Sequence, residues 1–290
     1  MSGRGVTRAV ARAVAAALLL LAAGCSRLIV FDAIVPKDGG VRMIVDGAPY
    51  GEGPRRRIDV YAPRGSPGAR RPIIVFFYGG SWQSGTRRGY GFAARALAAR
   101  GFVVAIPDYR LYPEVRFPGF LEDNAAAVRW VRAHAGEIGG DPDRIVLVGH
   151  SAGAYDAAML AVDPQWLGED RAAVRGFAGL AGPYDFLPFD DPAATTVFGA
   201  WPMPQDTQPI HFATADDPPA LLAAGSGDQR VRPANTRAMT ARLRAAGVPV
   251  EERLYPRIGH VGILIALARP FRGRAPVLDD VAAFARRVTR

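Results

Sequence analysis

From about residue 40 to the C-terminus, short runs of β-branched and aromatic residues alternate with longer stretches whose apolar positions recur three and four apart. The short runs predict strands at 42–45, 57–61, 73–77, 102–106, 145–148, 176–180, 220–224 and 250–254. The longer stretches predict helices at 88–99, 121–135, 152–161, 234–246, 261–268 and 278–288. Strands that alternate with helices make an α/β architecture: a mostly parallel eight-stranded sheet with helices on both faces. No repeat is visible, and 290 residues with 49% hydrophobic content suffice for one large core.

Three punctuated regions interrupt the rhythm. Residues 62–72 carry prolines and glycines and predict a hairpin-like connection between the second and third strands. Residues 107–120 contain Pro107, Pro113 and Pro118 and lead from a strand end over the carboxyl edge of the sheet, where open α/β sheets bind ligands. Residues 182–219 hold eight prolines and the pairs Asp190-Asp191 and Asp216-Asp217. They leave from the same edge and are expected to form a small insertion near the active site, a lid or pocket wall, with Phe198 and Trp201 available to narrow it.

The first 24 residues differ from the rest. Arg4, Arg8 and Arg12 precede an uncharged apolar run from Ala13 to Ala23, which suits a secretory leader and is too short for a membrane span. The run ends Leu21-Ala22-Ala23-Gly24-Cys25-Ser26 and resembles a bacterial lipoprotein processing site. By that resemblance Cys25 is the lipid attachment residue and the mature N-terminus, and the chain is anchored in the cell envelope, at the outer membrane where one exists because Ser26 is not acidic. An ordinary leader with an unpaired thiol is the alternative. On the lipoprotein reading, residues 1–24 are the signal peptide, 25–54 a tether and first strand, and 55–290 the domain proper. Cys25 is the sole cysteine, so no internal disulfide is expected.

A net charge of +9 raises nucleic acid as a partner. Three of those charges lie in the leader, and the other arginines are interspersed with acids, so neither nucleic acid nor a protein partner is expected.

The candidate chemistry centres on Gly149-His150-Ser151-Ala152-Gly153, directly after the predicted strand 145–148. A G-x-S-x-G pentapeptide between a strand and a helix is a nucleophile elbow, whose glycines permit a sharp turn that exposes the serine. A serine hydroxyl needs a base in hydrogen-bond reach and an acid to orient that base. Of the four histidines, His150 points away from the place a base must occupy, His134 ends a helix and His211 lies in the insertion. His260 follows the last strand at the carboxyl edge and is the candidate base. Asp228, the first acid after strand 220–224, is the candidate acid, with Asp185 as its competitor; Asp216 and Asp217 stand at the wrong end of that strand and read as solvated turn acids. The oxygen that becomes negative needs donors, one being the Ala152 amide at the helix start and others coming from the Gly79-Gly80 turn after the third strand.

Taken together, these segments resemble the α/β-hydrolase esterase, lipase and arylformamidase group with a His-Gly-Gly-x-Trp loop, over about residues 55–290. Tyr78-Gly79-Gly80-Ser81-Trp82 matches that loop with Tyr in place of His, and Asp108-Tyr109-Arg110-Leu111, Phe117-Pro118, Glu122-Asp123, Trp130 and the approach 140–145 match further segments. Asp228 with Val231 and Pro233, and Gly259-His260, match the acid and base segments. The resemblance implies an α/β-hydrolase fold and an oxyanion hole formed by the amides of Gly80, Ser81 and Ala152. It also implies that residue 78 influences the leaving-group side.

The expected activity is hydrolysis of small acyl or aryl carboxylic esters through an acyl-enzyme on Ser151. An amide-cleaving relative, arylformamidase-like or a peptidase, and a catalytically silent binding protein are the alternatives. The chain has no H-E-x-x-H motif, no phosphate loop and no dinucleotide fingerprint, so neither metal nor cofactor is expected.

Overall fold

A computed structural model describes residues 27–65 and 70–290. The leader, Cys25 and the middle of the 62–72 connection lie outside the described residues. Eight strands form one sheet: β1 (Val41–Pro49), β2 (Arg57–Pro63), β3 (Arg71–Phe77), β4 (Val103–Pro107), β5 (Gly140–His150), β6 (Val174–Leu180), β7 (Ala220–Gly225) and β8 (Val250–Tyr255). Their spatial order is β1-β2-β4-β3-β5-β6-β7-β8. β1 pairs antiparallel with β2, and β2 with β4, while every pairing from β4 to β8 is parallel. The 62–72 connection is therefore no hairpin, because β4 lies between the strands it joins.

The helices are α1 (Arg27–Ile34), α2 (Gly91–Ala98), α3 (Gly119–Ala133), α4 (Ala152–Val162), α5 (Pro164–Leu167), α6 (Pro192–Phe198), α7 (Ala234–Ala245), α8 (His260–Ile265) and α9 (Val277–Val288). Apolar residues of the central strands alternate between two cores, one on each face of the sheet: Ile74, Phe76, Val146 and Val148 face one, Ile73, Val75, Ile145 and Leu147 the other. Burial on both faces explains why these strands read as continuous apolar runs. Among the described residues no helix is long and apolar enough to cross a membrane.

Two elements depart from the expected pattern. Residues 27–38, expected to be part of a tether, are docked on the domain. Phe31 of α1 packs edge-on against Phe92 with centroids 5.1 Å apart and also meets Phe271, and Asp38 forms a two-pronged ion pair with Arg272 at 2.9 and 2.6 Å. The insertion contains α6, whose start is fixed by Asp191 accepting from the amides of Ala193 and Ala194, followed by Pro192 at the first helical position.

Candidate active site

The sharp turn at the end of β5 holds Ser151 at φ 55°, ψ −121°, a left-handed conformation that a non-glycine residue adopts only when its surroundings impose it. The flanking glycines impose it. A β-carbon on Gly149 would lie 2.0 Å from the carbonyl oxygen of Gly153, and one on Gly153 would lie 2.1 Å from that of Phe77. Strand, turn and helix approach so closely that only hydrogen fits there.

Three side chains from three strand ends meet at this turn. Ser151 Oγ lies 2.8 Å from His260 Nε2, and His260 Nδ1 lies 2.8 Å from Asp228 Oδ2. A carboxylate only accepts, so Nδ1 carries the proton and Nε2 is left to accept from the serine hydroxyl. Asp228 is almost fully buried, and burial works against its charge. The hydrogen bond and charge of His260, with the amides of Val231 and Arg230 at 2.9 Å, outweigh that cost and hold its carboxyl below the usual range. Asp185 is exposed and its amide donates to Asn235 Oδ1, with no bond to His260. Asp217, expected to be a solvated turn acid, is instead buried; its carboxylate takes Arg171 at 2.6 Å and closes the Thr214 turn.

The loop after β3 faces the serine. Gly80, Ser81 and Trp82 all have positive φ, at 143°, 54° and 56°, and a β-carbon on Gly80 would strike the Ser84 carbonyl at 2.0 Å. Among the described residues, no acceptor is found for the amides of Gly80, Ser81 and Ala152. Ala152 opens the 11-residue α4, whose dipole adds positive potential at that point. Three free donors beside a nucleophile are what a tetrahedral oxyanion requires.

Buried bonds fix this loop from behind. Trp82 Nε1 donates to Asp156 at 3.0 Å, and Asn124 Nδ2 donates to the other oxygen of Asp156 at 3.1 Å; complete burial pushes that carboxyl well up toward its neutral form. Tyr78 does not reach the leaving-group side. Its ring is buried and stacked on Tyr109 at 4.5 Å, and its hydroxyl accepts from Arg55 at 2.9 Å, so it braces the loop rather than lining the site.

His150 has a place that sequence reasoning missed. Its Nε2 donates to the backbone carbonyl of His260 at 3.1 Å, which leaves Nδ1 to accept from the Tyr90 hydroxyl at 3.3 Å. The same hydroxyl accepts from the Gly79 amide at 3.0 Å. The donor loop and the base are thus linked through Tyr90 and His150. Burial first, then the neighbouring His260, lowers the His150 pKa to about 3, so the imidazole stays neutral and can serve both bonds. No local signal announces a bridge between residues 60 apart; the only clue was a histidine inside the elbow.

Two cavities meet at Ser151. The first, about 510 Å³, is walled by the insertion through Pro183, Phe186 and Leu187, and by Arg230, Arg232 and Asp185. The second, about 960 Å³, is bordered by His260, Val261, Arg55 and the first turn of α1. Phe198 and Trp201 do not narrow either. Phe198 is buried edge-on against Trp82 at 4.7 Å and Trp201 packs on Phe117 at 4.9 Å, fastening the insertion to the domain. Arg230 borders both cavities and donates to Ser81 Oγ at 2.9 Å. Among the described residues no cluster of three or more His, Cys, Asp or Glu side chains could hold a metal ion.

An eight-stranded, mostly parallel sheet with a serine on the elbow after β5, an acid after β7 and a histidine after β8 defines an α/β-hydrolase. Residues 58–243 match the model of the BD-FAE family, and the chain belongs to that family of α/β-hydrolase esterases. It is 30% identical over 263 residues to esterase LipC of Mycobacterium tuberculosis, covering 83% of this chain and 64% of LipC. It is 35% identical over 146 residues to a probable isoprenylcysteine alpha-carbonyl methylesterase, ICMEL1, of Arabidopsis thaliana, covering 48% of this chain and 30% of that protein. The chain thus spans less than two thirds of the length of either relative. In fold it is similar to an inhibited esterase B from Lactobacillus rhamnosis, with a TM-score of 0.79 over 97% of this chain and 96% of that one at 20% identity.

Proposed function

We propose that this chain is a carboxylesterase-type serine hydrolase that cleaves small acyl or aryl esters and is held in the cell envelope through a lipid on Cys25. The observation that carries the first part is the hydrogen-bonded series Ser151, His260, Asp228 set against three amides without acceptors. Ser151 Oγ attacks the ester carbonyl carbon while its proton passes to His260 Nε2. The carbonyl oxygen becomes an oxyanion facing the amides of Gly80, Ser81 and Ala152. Collapse breaks the bond to the alcohol, which leaves with the proton from His260. Water, deprotonated by His260, then releases the acid from Ser151.

Because His260 protonates the leaving alcohol and borders only the second cavity, the alcohol half lies there and the acyl half lies in the first. Relatives named as esterases favour ester over amide cleavage. An organophosphate should add its mass to Ser151 alone, with loss of all hydrolysis. An adduct on another serine, or continued turnover after labelling, would overturn the assignment. The anchor rests on Leu21-Ala22-Ala23-Gly24-Cys25; labelled palmitate should enter the wild type and not Cys25→Ser, and equal labelling of both would remove the anchor.

A further inference from the structure

Four large hydrophobic side chains stand exposed among the described residues, and three of them lie on α1 or at the mouth beside it: Val30 (37%), Ile34 (75%) and Val261 (56%). Val30 and Ile34 are four apart and share one face of α1, while Phe31 is turned into the domain. Around this face the charges are unbalanced. Asp32 is paired with Lys37 at 3.4 Å and Asp38 with Arg272 at 2.6 Å, whereas Arg27, Arg269 and Arg274 are exposed with no acid within ion-pair distance among the described residues. Arg269 donates to the Lys37 carbonyl just beyond α1, and Arg274 lies over Phe271, the ring that the inward-turned Phe31 touches, so both arginines belong to the segment on which α1 is docked. An apolar strip flanked by unpaired arginines has the chemistry of a surface that lies on anionic lipid.

The candidate lipid residue, Cys25, is two positions before α1, and α1 is only about 12 Å long. A chain anchored there keeps this face within reach of the bilayer. The first turn of α1, through Arg27, Leu28 and Ile29, borders the cavity assigned to the leaving alcohol. The opposite cavity is smaller, about 510 Å³ against about 960 Å³, and carries Asp185, Arg230 and Arg232.

We infer that α1 and its arginines lie on an anionic bilayer with the alcohol-side cavity opening onto it, so that the substrates are esters of a short acyl group with an alcohol that resides in the membrane. This inference rests on the esterase reading above. Its occupant, a bilayer rich in anionic headgroups, is indicated by the surplus of arginines and by the point at which the anchored segment joins the domain.

The test uses the full, lipid-bearing protein with phosphatidylglycerol vesicles that contain either hexadecyl acetate or methyl palmitate, and p-nitrophenyl acetate in solution as the control. Hexadecyl acetate should be hydrolysed at least tenfold faster than methyl palmitate, and more slowly in phosphatidylcholine vesicles or at high salt. Val30→Asp combined with Ile34→Asp, and separately Arg269→Glu combined with Arg274→Glu, should cut the vesicle rate about tenfold and leave the soluble ester unchanged. A preference for methyl palmitate, or vesicle rates untouched by both double variants, overturns the proposal. Absence of p-nitrophenyl acetate hydrolysis in the wild type would instead overturn the esterase reading. The lipid contact is then still read by Ile34→Cys carrying an environment-sensitive fluorophore, which should shift to the blue on phosphatidylglycerol vesicles; no shift overturns the membrane-facing surface. Cys25 is the sole native cysteine, so fluorophore uptake by the wild type would count against the anchor separately.

Discussion

Two loops face Ser151, and they are held in different ways. The loop after β3 is pinned by directional bonds between buried groups: Trp82 to Asp156, Gly79 to Tyr90, Tyr109 to the Tyr78 carbonyl at 2.6 Å. The insertion between β6 and β7 is fastened mainly by rings, with Phe198 against Trp82 and Phe186, and Trp201 against Phe117. Hydrogen bonds set distance and angle, which donors aimed at an oxyanion require. Ring packing tolerates exchange of shape, which suits a wall that only has to fit an acyl group. Chemistry and selectivity are thus carried by differently fastened segments that meet at Trp82, and four measurements would break or sharpen that contrast.

The largest effect belongs to the reacting groups that both loops face. Ser151→Ala or His260→Ala should lower kcat by about 10⁴ to 10⁶, and Asp228→Asn by about 10⁴. Asp185→Asn, on the insertion side, should change kcat less than about threefold; steady-state rates with a saturating ester decide whether the acid is correctly assigned. Next comes the pinned loop. Asp156→Leu leaves the Trp82 and Asn124 donors buried without a partner, at a cost of about 1–3 kcal/mol for each group. The expected outcome is a clear drop in melting temperature with kcat reduced more than tenfold and KM little changed. A change confined to KM would mean that the loop's bonds do not set the donors.

Truncating the opposite wall should do the reverse. Phe186→Ala opens the first cavity, so KM should fall for acyl chains one or two carbons longer, each buried methylene contributing up to about 0.8 kcal/mol, while kcat for acetyl esters holds. A panel from acetyl to octanoyl esters reads this directly. Least visible in turnover, because it acts on stability, is the pH dependence carried by the His150 bridge. Its pKa is about 3 in the fold and about 6.5 in the unfolded chain, so between those values the unfolded state binds the extra proton. Stability should therefore fall as pH drops from 6.5 toward 3, with a slope from this residue of up to about 1.4 kcal/mol per pH unit. Urea unfolding at pH 7, 5 and 4 should show a shallower loss in His150→Gln than in the wild type.

The central part of this molecule was legible in the sequence because the strands that lead to Ser151 and Asp228 are buried on both faces and read as uninterrupted apolar runs, whereas β8, before His260, is a half-buried edge strand marked only by its alternation with a helix. The elbow was legible for a related reason: its backbone conformation needs glycine at two fixed offsets, and that need is written locally. What escaped depends on partners distant in the chain. α1 has eight residues and is held by Phe92 and Phe271, 61 and 240 positions beyond Phe31, which no window around it contains. α6 did leave a local sign, an aspartate capping a helix that begins with proline, but it was hidden among eight prolines that suggested irregular chain. The Tyr90 and His150 bridge, and the inward turn of Tyr78, are facts of packing and have no sequence pattern of their own.

Arg230 leaves the loop that carries the acid, borders both cavities and bonds to Ser81, so its side chain stands on the wall that the two cavities share. An open-chain ester can place one half on each side of that side chain. A small lactone cannot divide itself this way, because its acyl and alcohol ends are joined by the ring and must occupy the same side. The expected outcome is that linear esters are hydrolysed faster than cyclic ones of equal size and reactivity, and that shortening residue 230 to alanine narrows the gap.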